Sequence, residues 1–305
     1  MTLLLLSDLF EGHYRPKRLR GKSPKTAYQY HVQIRHFERF LGRRATVEDL
    51  TDLVVSRFLD QRAAETTAST SNKARNHLLA LWRFAAQKNL VSEWPEIPAL
   101  SEPERIPEAW FSDQVSQILS GCRRMVGWYE GVKRCDWWES LYWFWWSTGE
   151  RRTAAMLLEC NRVDLDRSFA HVPAEQRKGK VRDELYPLLP ECVAAFRRIW
   201  APERRFVFPW PYKTDATFYL HHRALLAFSG LPASRFNGPQ KMRRTFASYV
   251  EAGGGNATEA LGHSSRRVTK RSYLDPRIAG GKKSATLLPK LPKARRIEDR
   301  PPLAG

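Results

Sequence analysis

The chain has 305 residues, and 42% of them are hydrophobic, which allows a buried core and, by length, two domains. Lys and Arg number 51 against 32 Asp and Glu, a formal net charge of +19. This balance favours a polyanionic partner, above all nucleic acid, over a purely structural protein, although a basic surface without a specific partner would also show it.

Neither a membrane partner nor export is expected. The apolar opening stretch is very short and lacks a preceding basic region, and no other run approaches the length of a membrane span. Four cysteines, at positions 122, 135, 160 and 192, form no Cys-x-x-Cys pair and have no histidines at zinc spacing. They are expected to be free thiols in a reducing compartment, with no bound metal and no cofactor.

The first part of the chain predicts a small helical domain over residues 1–94. Residues 15–25 are basic and predict either an exposed arm or a solvated loop. A helix should begin at Ser23 and end at Gly42, because serine caps helix starts and glycine ends helices. Further helices should begin at Thr46 and at Thr70 or Ser71. Many basic residues lie on the polar faces, where they could contact a phosphate backbone or simply face solvent.

A proline-rich stretch over residues 95–107 predicts a linker, because four prolines interrupt any helix there. A second domain should occupy residues 108–285. A basic tail over residues 286–305 should be poorly ordered unless a partner captures it.

The second domain should be mainly helical with one small antiparallel sheet. Residues 136–147 form a densely aromatic helix, which favours core packing over a base-stacking platform. Strands are predicted over 169–172 and 184–189, joined by a basic hairpin tip over 176–182. Helices should begin near 111, at 190 and near 216. The predicted fold class is therefore mainly α with a small antiparallel sheet (α+β).

Residues 240–273 carry side chains suited to chemistry on a phosphodiester. Arg243 can hold phosphate oxygens through its planar guanidinium, and His263 can hydrogen-bond or move a proton. Tyr273 has a hydroxyl that can attack phosphorus. Taken singly, each side chain is more often an ion-pair partner, a helix cap or a packed ring.

Five short motifs in this order resemble those of the tyrosine recombinase (phage integrase) family. A Thr-Gly-x-Arg box ends at Arg151, and a hairpin lysine ahead of a Pro-Leu strand is Lys178, with Lys180 as the alternative. The second box places Gln240 and Arg243 before an apolar helix. The last two motifs are Leu-Gly-His, which ends at His263, and a tyrosine ten residues later, Tyr273. The resemblance covers most of the chain.

Two positions depart from the family pattern. Gln240 stands where a histidine is common, and glutamine can hydrogen-bond a phosphate oxygen but cannot shuttle a proton. Ala154 stands where an acidic residue often follows the first arginine by three positions. Either change could lower activity, or a neighbouring residue could substitute.

The resemblance implies an N-terminal core-binding domain, a catalytic domain, and cleavage and rejoining of double-stranded DNA through a 3′-phosphotyrosine. Arg151 and Arg243 would stabilise the transition state with hydrogen bonds from Gln240 and His263, Tyr273 would attack, and Lys178 would protonate the leaving 5′ oxygen. It implies metal-independent catalysis, strand exchange by a tetramer on paired sites, and a cytoplasmic, nucleoid-associated location. Two alternatives stay open: relaxation of DNA as by a type IB topoisomerase, and DNA binding without catalysis. The target site and the biological reaction are not predictable.

Overall fold

The computed structural model describes residues 3–177, 179 and 182–280. The chain divides into two compact units, the first ending at Glu104 and the second beginning at Arg105. The predicted tail over 286–305 and the predicted hairpin residues Lys178 and Lys180 lie outside the described residues. Within the described ranges, no helix combines the length and apolarity needed to cross a membrane.

The first unit is all helical. Its elements are α1 (Leu6–Asp8), a π-helical turn (Leu9–Tyr14), α2 (Arg15–Arg18), α3 (Pro24–Leu41), a 3₁₀ turn (Val47–Asp49), α4 (Asp52–Glu65) and α5 (Ala68–Ala86). Large apolar side chains from successive helices meet in one core, including Phe10, Phe37, Phe58 and Trp82, which are at most 1% exposed. Part of the predicted basic arm is the exposed helix α2 rather than a loop.

Two predicted helix starts in this unit were wrong. Thr46 forms a capping box with Asp49, but this box closes the 3₁₀ turn, and α4 is capped instead by the Thr51 side chain. Helix α5 is capped by Thr67, before the predicted start at Thr70 or Ser71. Several threonines in sequence can each accept an amide hydrogen bond, so residue type alone does not decide which one caps. The predicted start and end of α3 are confirmed, with Gly42 in the left-handed conformation.

Residues 93–107, which include the proline-rich stretch, have no regular secondary structure, and residues 93–100 contact α5. The Trp82 indole donates to the Glu93 carbonyl at 2.9 Å. The Asn72 side chain exchanges two hydrogen bonds with the Leu100 backbone, at 2.8 and 2.9 Å. Side chains therefore satisfy backbone groups that prolines prevent from forming a helix.

The second unit combines helices with two small antiparallel sheets. Its helices are α6 (Ser112–Cys122), α7 (Arg134–Thr148), α8 (Arg152–Met156), α9 (Pro190–Ile199), α10 (Asp215–Phe228), α11 (Gln240–Ala252), α12 (Ala257–Ala260), α13 (Arg266–Tyr273) and α14 (Pro276–Ala279). Its strands are β1 (Trp128–Tyr129), β2 (Val132–Lys133), β3 (Val163–Asp164), β4 (Phe169–Val172) and β5 (Glu184–Pro187). The mainly α fold with a small antiparallel sheet is thereby confirmed.

Strand β4 is the centre of the three-stranded sheet and pairs with β3 on one side and β5 on the other. The hairpin of β1 and β2 was not predicted, because two-residue strands are too short to show an alternating pattern. The aromatic helix α7 is core, as predicted: Trp137, Trp138 and Trp145 are at most 1% exposed. Burying these rings fixes the position of Gly149, where α7 ends in the left-handed conformation.

Replacing Gly149 by alanine should destabilise the second unit. Gly149 has a φ of +59°, and a Cβ atom there would lie 2.3 Å from Cδ1 of Phe246. Backbone strain and overpacking together should cost about 2–4 kcal/mol. Gly230→Ala is the matched control, since Gly230 has a φ of +70° but open space around it. Urea unfolding should show the larger loss for Gly149→Ala, and equal losses would contradict the contact with Phe246.

Candidate active site

Helices α11 and α13 bring together the predicted nucleophile and one of its predicted partners. Gln240 and Arg243 lie one turn apart at the start of α11, so both face the same side of that helix. Tyr273 is the last residue of α13. The Gln240 side-chain amide donates a hydrogen bond to the Tyr273 hydroxyl oxygen at 3.0 Å. A donor in this position favours negative charge on the phenol oxygen.

Arg243 connects two of the predicted motifs. Its side chain is almost fully buried, and its Nη1 and Nη2 donate to the backbone carbonyls of Gly149 and Leu261 at 2.8 and 2.7 Å. Burial lowers the pKa of Arg243, but an arginine remains charged at neutral pH. Among the described residues, its buried Nε has no hydrogen-bond partner. An unpaired buried donor on a cation is a feature that an anionic ligand can satisfy.

His263 is held as a neutral ring between Arg243 and Tyr273. Its Nε2 lies 3.4 Å from Nη2 of Arg243, and its Nδ1 lies 2.9 Å from the Thr269 hydroxyl. Because a guanidinium can only donate, we assign the ring proton to Nδ1. Burial, followed by the charges of Arg243, Arg151 and Arg177, lowers the pKa of His263 to about 4. The rings of His263 and Tyr273 have centroids 4.5 Å apart.

Arg151 lies directly before α8, and its charge contributes to the lowered pKa of both Arg243 and His263. Side-chain contacts join four of the predicted site residues: Gln240, Arg243, His263 and Tyr273. Arg151 lies near enough for its charge to act on two of them. The sixth, Lys178, and its alternative Lys180 lie outside the described residues. Ala154 is buried in α8, so no carboxylate occupies that position.

The structure adds a buried network that the sequence did not indicate. Glu150, inside the Thr-Gly-Glu-Arg turn, accepts hydrogen bonds from Arg177 at 2.8 Å and from the Tyr186 hydroxyl at 2.7 Å. Burial raises the pKa of Glu150, but the charges of Arg243 and Arg177 and the donated hydrogen bonds outweigh it, so its pKa lies below the ordinary value. In the sequence, the network is indicated only by an acidic residue next to a motif arginine, a pattern too common to predict it.

The first residues of the second unit are attached to the region around Tyr273 by a linker clasp, defined as Ala109, Trp110, Thr245 and Asp275. The Ala109 amide donates to the Asp275 carboxylate, and the Trp110 amide donates to the Thr245 hydroxyl, both at 2.8 Å. Asp275 is fully buried and follows Tyr273 by two residues. Burial raises the pKa of Asp275, but hydrogen bonds from Arg277 and the Ala109 amide outweigh it, so its pKa is lowered.

Residues 9–91 match the family model of the phage integrase N-terminal SAM-like domain. No curated protein sequence matches the chain significantly. Among solved structures, the lambda integrase tetramer bound to a Holliday junction matches over 92% of this chain and 80% of its own, with a TM-score of 0.68 and 18% identity. The chain has the tyrosine recombinase fold.

Two further structures with the recombinase fold match with similar scores. The Tn1549 transposon integrase in complex with transposon right end DNA matches over 93% of this chain and 97% of its own, with a TM-score of 0.67 and 14% identity. XerH site-specific recombinase bound to palindromic difH substrate matches over 82% of this chain and 76% of its own, with a TM-score of 0.63 and 17% identity. These matches confirm the predicted family resemblance at the level of the fold.

The pKa of His263 gives a test of the site in the DNA-free protein. A folded-state pKa of about 4, against an ordinary value of 6.5, means that the unfolded chain binds the proton more readily. The titration of His263 should leave the free energy of unfolding unchanged above about pH 6.5 and should lower it as the pH drops from about 6.5 toward 4. An NMR titration of the His263 ring should show the low pKa, and His263→Gln should weaken the acid dependence of urea unfolding. A measured pKa above 6 would contradict the neutral ring between Arg243 and Tyr273.

Proposed function

We propose that the chain is a site-specific DNA recombinase or integrase that cleaves and rejoins DNA through a covalent 3′-phosphotyrosine. The observation that carries this proposal is the position of Tyr273. Its hydroxyl receives a hydrogen bond from Gln240, and its ring lies against His263 and within 5.8 Å of the Arg243 guanidinium carbon. A tyrosine surrounded by donors and buried cations suits attack on a phosphodiester.

In the proposed cleavage step, the Tyr273 oxygen forms a bond to phosphorus and the bond to the 5′ oxygen breaks. The phenol loses one proton to water, and the leaving 5′ oxygen gains one. Arg151 and Arg243 stabilise the added negative charge on the phosphoryl oxygens, and Gln240 adds a donated hydrogen bond. His263 adds a hydrogen bond by accepting from Arg243 through Nε2, which orients that guanidinium. Lys178, or Lys180, is the proposed proton donor. Attack by a 5′ hydroxyl from another duplex reverses the chemistry and exchanges strands without a nucleotide cofactor.

The proposed partners are double-stranded DNA sites and further copies of this chain. The net charge of +19 suits a phosphate backbone. The similar structures are a lambda integrase tetramer on a Holliday junction, a transposon integrase with transposon end DNA, and XerH on a difH substrate. They support a tetramer on paired sites, a role in DNA recombination and integration, and an origin in a mobile element.

Replacing Tyr273 by phenylalanine should abolish the covalent adduct and leave DNA binding unchanged, because only the hydroxyl is removed. The substrate would be a library of nicked duplexes that trap the cleaved strand, and the adduct would be detected by its altered mobility on a denaturing gel. Tyr249→Phe is the control, since its hydroxyl accepts from the Ser112 amide and does not contact Gln240. Adduct formation by Tyr273→Phe would exclude this nucleophile. An adduct-free wild-type protein that still binds DNA would favour the non-catalytic alternative.

Replacing Gln240 by alanine should slow cleavage by a factor of about 10², the usual cost of one transition-state donor. Gln240→His should retain more activity than Gln240→Ala, because an imidazole can restore a donor to the Tyr273 oxygen. Single-turnover cleavage of the nicked duplex measures both. Equal activity of all three proteins would contradict a role for the contact between Gln240 and Tyr273.

A further inference from the structure

We propose that Glu150 and Arg177 are positioning residues of the active site, whose buried ion pair holds Arg243 and His263 in place for cleavage. The proposal rests on the proposed function. It gives a role to two residues that have none in the family motifs. It also locates a carboxylate near the site although position 154 is an alanine.

The Glu150 carboxylate is the centre of the network. Its side chain is fully buried, and Oε2 accepts from Nε of Arg177 at 2.8 Å and from the Tyr186 hydroxyl at 2.7 Å. Oε1 accepts from the Arg151 amide at 2.7 Å and lies 3.6 Å from Nη1 of Arg243. One side chain thus contacts both predicted motif arginines and Arg177.

Arg177 contacts both strand β5 of the three-stranded sheet and the Leu-Gly-His motif. Its Nη1 donates to Glu184 at 2.9 Å and its Nη2 donates to the Tyr186 hydroxyl at 3.1 Å. A Cβ atom on Gly262 would lie 3.1 Å from Nη2 of Arg177 and 2.8 Å from Oε1 of Glu184. The backbone beside His263 therefore packs directly on the ion pair of Arg177 and Glu184, and glycine permits the close approach.

The charges explain why the carboxylate is needed. The guanidiniums of Arg177 and Arg243 both lie against the Glu150 carboxylate, at 2.8 and 3.6 Å, and the charge of Arg151 also acts on Arg243. Without a buried anion between them, mutual repulsion would favour moving Arg177 or Arg243 toward solvent. Glu150, in the Thr-Gly-Glu-Arg turn, neutralises part of this positive charge. The face of the arginines toward Tyr273 stays positive and can bind a phosphate.

A stabilising role alone does not account for this arrangement. Buried ion pairs are often replaceable by apolar side chains without loss of stability, so their energetic benefit is small. This pair lies where the Thr-Gly-Glu-Arg turn, strand β5 and the Leu-Gly-His motif meet. A geometric role at the junction of three functional segments fits the position better.

The test uses the full chain with Glu150→Gln and Arg177→Gln, alone and together. Cleavage is measured on a nicked duplex and on the same duplex with sulfur as the bridging 5′ atom, a leaving group that needs no proton. Each single variant should cleave both substrates about 10²-fold more slowly, as expected for lost transition-state stabilisation, with DNA binding unchanged. The double variant should be no slower than the worse single variant, because the two residues act as a unit.

Two milder variants separate positioning from misfolding. Tyr186→Phe removes one hydroxyl from the network and should slow cleavage by less than Glu150→Gln while leaving the unit folded. Glu159→Gln, in a surface ion pair with Arg162 and Arg205, should leave cleavage unchanged. Recovery of Glu150→Gln on the sulfur substrate would show that the pair serves proton donation instead, and would overturn the proposal. So would wild-type cleavage rates in folded Glu150→Gln.

An NMR measurement decides the inference even if the wild-type protein forms no adduct. The pKa of His263, about 4 in the wild-type protein, should rise in Arg177→Gln, because a nearby positive charge is removed. Absence of adduct in all proteins would refute the proposed function, whereas an unchanged His263 pKa in Arg177→Gln would refute the positioning network.

Discussion

The candidate site depends on the burial of one cation. Arg243 is 1% exposed, yet it connects the carbonyl at the end of α7 with the carbonyl before His263. Transferring a guanidinium from water is costly unless its donors are satisfied, so the backbone segments at Gly149 and Leu261 must be held close to it. The same two segments carry Arg151 and His263. Folding around Arg243 therefore assembles residues that are more than a hundred positions apart in the chain.

Much of the fold followed from residue patterns. Local chemistry determines the helix α3 with both its ends, and it also determines the existence of the aromatic helix α7 and of strands β4 and β5. Strand β5 ends at Pro187, two residues before the predicted end at 189. The incorrect helix starts at Thr46 and Thr70 arose where neighbouring threonines compete as caps, and tertiary packing chooses among them. The β1–β2 hairpin was not predicted, because strands of two residues each are too short to show an alternating pattern.

The candidate site was only partly predictable, and the reason is physical. Arg151, Arg243, His263 and Tyr273 have side chains whose chemistry is recognisable from type and order. Glu150 and Arg177 have charges that resemble ordinary surface charges in the sequence. Their burial results from contacts across 27 residues, which no local pattern encodes. The contact between Gln240 and Tyr273 likewise depends on the relative placement of α11 and α13, which neither residue type indicates.

The linker clasp limits how the chain directly after the proline-rich stretch can be changed. A spacer can be shortened, lengthened or replaced freely, because nothing depends on its backbone. Here the amides of Ala109 and Trp110 are partners of Asp275 and Thr245. Removing these residues would leave the buried Asp275 carboxylate without one of its donors, two positions beyond Tyr273. An independently folding fragment of the second unit would therefore have to begin before Ala109, since the residues at the start of the unit also bind Asp275, two positions beyond the proposed nucleophile.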